Sequence, residues 1–492
     1  MTGDTLAGES GTTATTTSRW KPHLRGHRLR VGLIALLAAA AYSVLGLVKL
    51  ATFRASVFDL VIFDQAVRNY ARFRPPYVPV VGSFHDRGLD YVQLADHFSP
   101  AYALLAPFYW IHDGPESLVV AQALLFAAAI PFIWLFTRRT LGAGPAYLVA
   151  VAYALSWPVA QAVAFDVHEV MFVPLFTAVM IERYHADRPL PAFLAMFGLL
   201  LVKEDMGLMV IGFGLYLFVI GDRFRGVCCA AVGLGGALIT RGALIPLLGG
   251  DSNDFWAYGH LGPDVPSAIL ALLRDPVAAL LLPFSEEAKV DTLFLLVWPT
   301  LLLCLLSPLS IVALPHVLER MLSDRPLWWQ ADFQYSAFTV VILLCAGVDG
   351  LARLLRRIGR SDDRSLRLAW SAAVCAVALT LVPKFALDQL YHPGFYKGDA
   401  VKIAAAREAV ARVPSGVTVE AANSTGPALT SRATVLLWTG RSRGAPWVVA
   451  DTARWEFPFG SAEEQAAQVG RLLQEGYTKV FERDGYVVLH RP

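Results

Sequence analysis

Charged residues and cysteines are both scarce in this chain of 492 residues. Charged side chains make up 17% of it and hydrophobic ones 55%, which excludes an ordinary soluble protein. A formal net charge of +2 gives no indication of nucleic-acid binding. The five cysteines all lie in apolar runs, so no disulfide framework is predicted. Walker, HExxH, CxxC and dinucleotide-binding glycine motifs in their proper context are absent, which leaves ATP-driven and dinucleotide chemistry without support.

Long apolar runs are abundant instead, and many approach the roughly 20 residues that a bilayer-spanning helix needs. The first, from Val31 to Phe53, is too long for a signal peptide and has no clear cleavage site, so it predicts a membrane anchor. The remaining spans are predicted at 117–137, 143–163, 168–184, 189–202, 206–221, 226–248, 291–306, 308–322, 336–356 and 366–384. The fold class is therefore an α-helical polytopic membrane protein with about eleven transmembrane helices.

Basic residues predict how these spans are oriented. The side that shares the basic N-terminus also holds Arg138, Arg139, Arg183, Arg188, Arg223, Arg225 and the arginine cluster between 353 and 367. By the positive-inside rule this side is cytoplasmic, in the plasma (inner) membrane. We expect residues 1–30 to be a disordered basic cytoplasmic tail and residues 31–391 to be the transmembrane domain. A long first extracytoplasmic loop is expected at 54–116.

Residues 392–492 have the composition of a soluble domain, which this topology places outside. Helices are predicted at 399–412 and 462–475, and strands at 417–421, 434–438 and 447–451. A final hairpin over 479–489 carries Asp484–Gly485 as its turn. This small α/β domain has no evident catalytic set, so we expect it to bind or orient rather than react.

The first outer loop opens with the segment Ser56–Tyr70, which has the periodicity of a helix. Asp59 falls inside its apolar arc, whereas Asp64 lies on the opposite, polar face. A buried carboxylate must be paired, protonated or functional, because burying it alone is costly. The alternative is structural: Ser56 caps the helix and Asp59 favours its dipole.

Two further groups of titratable residues lie in predicted outer turns. Asp96 and His97 could form half a metal site or a carboxylate–imidazole pair, although Asp96 could instead cap the turn before Pro100. Asp166, His168 and Glu169 lie in a very short turn between two spans. They could hold a cation such as Mg²⁺ or Mn²⁺, or a phosphate-bound metal. The alternative is an ordinary polar turn.

The remaining candidates are charged or polar residues next to spans. Lys203, Glu204 and Asp205 lie between two apolar runs, where ionisable residues mark function unless they merely pair with one another. Lys203 suits a phosphate as a point charge. Arg241, deep in an apolar run, needs an acidic partner or an anionic ligand. Gln334 and Tyr335 could line a donor or acceptor cleft.

The order of these motifs resembles a family of bacterial predicted membrane proteins designated a domain of unknown function. The resemblance rests on Phe58-Asp-Leu-x-x-Phe-Asp-Gln65, Asp96-His-Phe-Ser-Pro100, Asp166-x-His-Glu169, Lys203-Glu-Asp205 and Gln334-Tyr-Ser336, and it extends from Val31 over nearly the whole chain. More distantly, the chain resembles the GT-C superfamily of membrane glycosyltransferases. Those enzymes take sugar from a lipid-phosphate donor and keep a catalytic acid in the first outer loop, although the adjacent pair of acids that is commonest there is absent here.

This resemblance implies that Asp59 is the catalytic acid, with Asp64 as the second candidate. Lys203 and Arg241 would hold the donor phosphate, and Asp166, His168 and Glu169 would be metal or acceptor ligands. The expected function is transfer of a sugar from a polyprenyl-phosphate donor to an envelope glycan, lipid or protein. Two alternatives remain open: a transporter or flippase of a lipid-linked precursor, or a non-catalytic scaffold for envelope assembly. The absence of a convincing internal repeat and the clustering of charges at one face favour the enzyme over the transporter.

Overall fold

The structure is a computed structural model that describes residues 21–251 and 253–492, and most of this part of the chain is helical. Its α-helices are α1 Lys21–Ala51, α2 Ile62–Ala71, α3 Pro79–Phe84, α4 Gln93–Asp96, α5 Ala106–Ile111, α6 Glu116–Ala128, α7 Ile130–Leu141, α8 Ala143–Ala154, α9 Trp157–Ala164, α10 Val173–His185, α11 Pro189–Leu200, α12 Met206–Val219, α13 Arg223–Ile239, α14 Ile245–Leu247, α15 Val265–Arg274, α16 Pro276–Leu281, α17 Glu287–Val297, α18 Leu314–Leu322, α19 Pro326–Trp329, α20 Val340–Arg357, α21 Arg364–Leu381, α22 Pro393–Lys397, α23 Ala400–Arg412 and α24 Ala462–Gln474.

Within the described residues, five helical runs are long and apolar enough to cross a membrane. They are Gly26–Ala51, Glu116–Leu141, Ala143–Ala164, Arg223–Leu247 and Arg364–Lys384. The pair α15 and α16, bent by 104° at Asp275–Pro276, would be a sixth if it counts as one span. The predicted count of eleven is therefore not confirmed, whereas a multi-pass helical membrane architecture is.

Several predicted boundaries differ from the structure. Helix α1 begins at Lys21, so residues 21–30 are its first turns rather than part of a disordered tail, and residues 1–20 lie outside the described residues. The predicted span 291–306 breaks at Leu301 and Leu302, which both have positive φ. The span predicted at 308–322 divides into a short turn and α18. Pro299, Pro308 and Pro315 explain these breaks, because proline removes a helix hydrogen bond and clashes with the preceding turn.

Loops with basic residues meet at one end of the helical bundle. Arg139, at the end of α7, pairs with Glu182 of α10. The Tyr184 hydroxyl, also on α10, donates to Asp222 just before α13 at 2.8 Å. These contacts bring the end of α10 together with the end of α7 and the start of α13.

Residues 418–490 form a sheet of five strands, β1 Thr418–Ala421, β2 Thr434–Leu437, β3 Trp447–Asp451, β4 Thr478–Arg483 and β5 Tyr486–His490, in the order β2-β1-β3-β5-β4. Strand β1 pairs in parallel with β2 and β3, and β5 pairs antiparallel with β3 and β4. Asp484 and Gly485 both have positive φ, as a two-residue hairpin turn requires. All of the elements predicted in this region are confirmed.

The sheet packs against the loop that follows α1. The Gln65 side chain of α2 donates to the carbonyl of Val435 in β2 at 2.9 Å. Arg443, in the loop before β3, pairs with Asp86 after α3 and donates to the carbonyl of Phe84 at 3.1 Å. The C-terminal region and the first loop therefore share one interface, and this interface shapes the candidate site.

Candidate active site

Asp59 lies in a strained turn, Val57–Val61, and not in the helix that the sequence predicts. Phe58 and Asp59 have non-helical backbone angles, and Asp59 has φ 125° and ψ −74°. A non-glycine residue in such a region costs about 1–3 kcal/mol, and this strain persists only where surrounding contacts enforce it. The expected cap is also absent, since the Ser56 side chain makes no capping hydrogen bond to this turn.

Contacts from two separate parts of the chain enforce the turn. The side-chain oxygen of Asn423, which follows β1, accepts from the backbone N–H groups of Val57 and Phe58 at 3.0 and 3.1 Å. On the other side, Asp166 accepts from the N–H and the hydroxyl of Ser56 at 2.8 and 2.6 Å. Asp166 also pairs with Lys49 of α1 at 3.1 Å. The predicted candidate Asp166 therefore fixes the backbone in front of Asp59.

The Asp59 carboxylate faces His168, with 3.1 Å between Oδ1 and Nε2. The Asp59 side chain remains 26% exposed, whereas that of His168 is 8% exposed. Burial raises the pKa of Asp59, and the adjacent imidazole only partly opposes this rise. A carboxylate with a raised pKa, a single imidazole partner and an accessible edge is suited to accept a proton from a substrate.

The next residue connects this pair to the lysine motif. Glu169 lies 2.7 Å from the ammonium of Lys203, and both side chains are largely buried. Burial alone would lower the pKa of Lys203, but the Glu169 carboxylate holds it well above its usual value. Lys203 is therefore a fixed positive charge, connected to Asp59 through Glu169 and the adjacent His168.

Glu204 and His97 form a second buried pair, 2.8 Å apart. Burial alone would lower the pKa of His97, but the Glu204 carboxylate raises it to about 9. In the same way burial would raise the pKa of Glu204, but His97 brings it down to about 2. The sequence offered Asp96 as the acid of a carboxylate–imidazole pair with His97, whereas the acid that contacts His97 is Glu204. Asp96, whose pKa burial raises, lies directly before His97 at the end of α4.

His97, Lys203 and Glu204 lie in the wall of a cavity that Asp59, His168 and Glu169 do not line. It is lined by His97, Lys203, Glu204, Asp205, Arg241, Phe255, Tyr258, His316, Glu319, Arg320, Trp328 and Tyr335. Six predicted candidates thus lie around a single space, although they come from distant segments of the chain. Gln334 precedes Tyr335 in a short turn and is buried, with no partner for its side-chain oxygen in the described residues.

Asp64 is separated from this cavity by its own set of partners. It is fully buried and pairs with Arg68, while the hydroxyls of Tyr109 and Thr430 each donate to it at 2.6 Å. Arg68 in turn pairs with Asp113 at 2.6 Å. The polar face of the predicted helix is therefore not solvated, because the C-terminal region covers it.

Asp166, His168 and Glu169 do not point at one common position as metal ligands. They pair separately with Lys49, Asp59 and Lys203. In the described part of the chain, Asp205, His316 and Glu319 are the group whose ligand atoms come close enough together for an ion. The sequence interpretation did not select His316, Glu319 or Arg320, although three ionisable residues in an apolar run were a signal of function.

Comparisons with known proteins agree with this architecture. A family model described as Predicted membrane protein (DUF2079) matches residues 49–488. Among solved structures, ArnT from Cupriavidus metallidurans bound to undecaprenyl phosphate has a TM-score of 0.51 at 13% identity, covering 93% of this chain and 97% of that one. No curated protein matches the chain significantly.

Two further solved structures are similar at lower scores. ArnT from the same organism in the apo state has a TM-score of 0.48 at 13% identity, covering 95% of this chain and 98% of that one. The Archaeoglobus fulgidus oligosaccharyltransferase in the apo form has a TM-score of 0.42 at 10% identity, covering 86% and 69%. These two scores are too low to support an argument. The likeness to ArnT bound to undecaprenyl phosphate shows the fold.

Proposed function

The chain belongs to the DUF2079 family of predicted membrane proteins, and from this premise we propose that it is a GT-C-like membrane glycosyltransferase. It transfers a sugar from a polyprenyl-phosphate donor to a cell-envelope glycan, lipid or protein. The fold it shares with ArnT, whose solved structure holds undecaprenyl phosphate, supports a lipid-phosphate donor. The reaction takes place at the extracytoplasmic face of the plasma membrane, with the N-terminus in the cytoplasm.

One observation carries this proposal: a series of charged residues runs from Asp59 through its partner His168 and the adjacent Glu169 to Lys203, which pairs with Glu169 and lines the cavity. Sugar transfer with inversion needs a base to take the proton of the acceptor hydroxyl. Asp59 has the accessible carboxylate for that role. His168 orients it, while Asp166 and Asn423 hold the turn in which it lies.

The other end of the series suits the leaving group. A departing lipid phosphate is stabilised by fixed positive charge that acts in a partly desolvated site. Lys203, Arg241 and Arg320 all line the cavity and supply that charge. Glu204 and His97 keep the wall beside Lys203 in place, and Gln334 and Tyr335 lie where a donor or an acceptor passes. Asp64, which has no free oxygen toward the cavity, stabilises the fold.

The proposal is tested with the purified full-length protein in vesicles loaded with labelled polyprenyl-phosphate sugars from cell membranes. The wild-type protein should form a new glycosidic bond, and Asp59→Asn should not. Asp90→Asn, which changes an exposed acid of the same loop, is the matched control and should keep full activity. Full activity of Asp59→Asn would remove Asp59 from this role. Movement of the lipid-linked sugar across the vesicle without bond formation would replace the enzyme with a flippase.

A further inference from the structure

Asp205, His316 and Glu319 come together at the cavity although they belong to two distant segments of the chain. Asp205 directly precedes α12, and His316 and Glu319 lie almost one turn apart on α18. One ligand atom from each of them lies within 4.8 Å of the other two. An imidazole and two carboxylates from rigid elements are therefore directed at one small volume.

The hydrogen bonding of this group is incomplete. His316 is only 2% exposed, and its Nε2 has no hydrogen-bond partner in the described residues. Its Nδ1 lies 3.3 Å from Glu319 Oε2, but not in hydrogen-bonding geometry. One oxygen of Asp205 is also buried without a partner. Buried polar groups are almost always satisfied, so the unpaired atoms of this cluster are suited to bind a ligand.

Two of the neighbouring cations are engaged elsewhere. The ammonium of Lys203 is 2.7 Å from Glu169. Arg320 uses Nε for the carbonyl of Trp328 at 2.7 Å and Nη2 for the hydroxyl of Ser336 at 3.2 Å. Its Nη1 is buried without a partner at the edge of the same cavity.

We propose that Asp205, His316 and Glu319 bind a divalent transition-metal ion of the Zn²⁺ or Mn²⁺ type. Imidazole nitrogen with carboxylate oxygen is a donor set that these ions accept, whereas Mg²⁺ prefers oxygen alone. Ligand atoms around a tetrahedral ion at 2.0–2.2 Å are about 3.4 Å apart, so the separation of His316 and Glu319 already fits. The ligand atom of Asp205 lies within 4.8 Å of the other two, so it has to approach them by at most about 1.4 Å to complete the site.

The ion leaves coordination positions open toward the cavity, where Arg320 Nη1 is also unpaired. A metal ion and an arginine on one side of a cavity recognise an anionic oxygen, and a phosphate is the group that fits both. That role as a phosphate clamp rests on the proposed glycosyltransferase function. The binding of the ion itself does not.

Ion binding is measured on the purified full-length protein in detergent. The protein is stripped with a chelator, loaded with Zn²⁺ or Mn²⁺, desalted and analysed for bound metal by mass spectrometry. We expect one equivalent in the wild-type protein and its loss in His316→Ala and Glu319→Gln. Changing a residue that only supports a metal ligand weakens metal binding by about 10–100-fold. Removing a ligand itself should weaken it by more than that. His260→Ala is the matched control, because this partly exposed histidine pairs with Asp324 outside the cluster and should keep the ion.

Loading with Co²⁺ gives a second readout that does not depend on activity. Its visible absorption should show nitrogen and oxygen ligation in the wild-type protein and change in Glu319→Gln, which preserves the shape of the side chain. Failure of the wild-type protein to retain metal, or equal retention by wild-type and His316→Ala, would overturn the proposal. Bound metal without any sugar transfer would preserve the site and reject the phosphate role together with the proposed function.

Discussion

Asp59 and Asp64 lie five residues apart in one short segment, yet their surroundings are opposite. Asp64 is fully buried and has partners on both oxygens from Arg68, Tyr109 and Thr430. Asp59 has a strained backbone, one imidazole partner and a quarter of its side chain exposed. An acid whose hydrogen bonds are complete has nothing left for a substrate. An acid whose hydrogen bonds are incomplete lowers the stability of the fold and keeps an oxygen free to react with a substrate.

The largest difference between the two acids should be in catalysis. Asp59→Asn removes a proton acceptor and should lower the rate of sugar transfer by about 10²–10⁴-fold, the usual contribution of a general base. The melting temperature should stay the same or rise, because burial of a charged Asp59 disfavours the folded state, as its raised pKa indicates. Transfer assays and thermal melts of the same preparation measure both. A parallel fall in melting temperature would make Asp59 a structural acid like Asp64.

The reverse result is expected for Asp64→Asn. This change leaves the buried Arg68 facing a neutral amide, and breaking a buried ion pair costs about 3–5 kcal/mol. The unfolding free energy should fall by that order, as followed by denaturant titration of the protein in detergent. The activity of the fraction that remains folded should be close to that of the wild-type protein. Loss of activity at full stability would return Asp64 to the list of catalytic candidates.

How much of this could be predicted depends on what each segment contacts. The hairpin at Asp484–Gly485 and the strands before it were predictable because their signals are local. Helical periodicity over Ser56–Tyr70 misplaced the helix start and the polar face. An interpretation from periodicity assumes that the polar face of a helix is exposed to water, whereas Gln65 and Arg68 contact the C-terminal region instead.

The candidate site was predictable as a group but not in its pairings. Lys203, Glu204 and Asp205 follow an apolar run, and His97 lies in the outer loop, so the alternation of spans places them at one end. Differences in side-chain position, from a few tenths of an ångström to a few ångströms, decide which acid pairs with which base. The pairing of Lys203 with Glu169 rather than with its own neighbours therefore needed the structure.

Glu204 provides an intermediate case, since it is paired like Asp64 but its partner titrates. His97 has a folded-state pKa of about 9, above the unfolded value of about 6.5. Its stabilising contribution is therefore complete below pH 6.5 and is lost as the pH rises through 9. Thermal melts should show a stability loss of about 1–3 kcal/mol between pH 6 and pH 10. His97→Gln should remove that dependence, and an unchanged slope in this variant would assign it to another group.

The smallest effects should come from the C-terminal region, which holds both acids but by different contacts. Asn423→Ala removes the side-chain bonds to the N–H groups of Val57 and Phe58 and leaves Val57 only its bond to the backbone carbonyl of residue 423, so the turn that contains Asp59 can relax from its strained angles. We expect about a tenfold loss of transfer rate, about 1.4 kcal/mol, with a smaller change in unfolding free energy because the strain is released as the bonds are lost. Thr430→Val instead removes one hydrogen bond to Asp64 and should cost about 1–2 kcal/mol of stability at an unchanged rate. If the ratio of rate loss to stability loss is the same for Asn423→Ala as for Thr430→Val, the C-terminal region supports the fold only. Unequal proportions would mean that it also sets the geometry of Asp59.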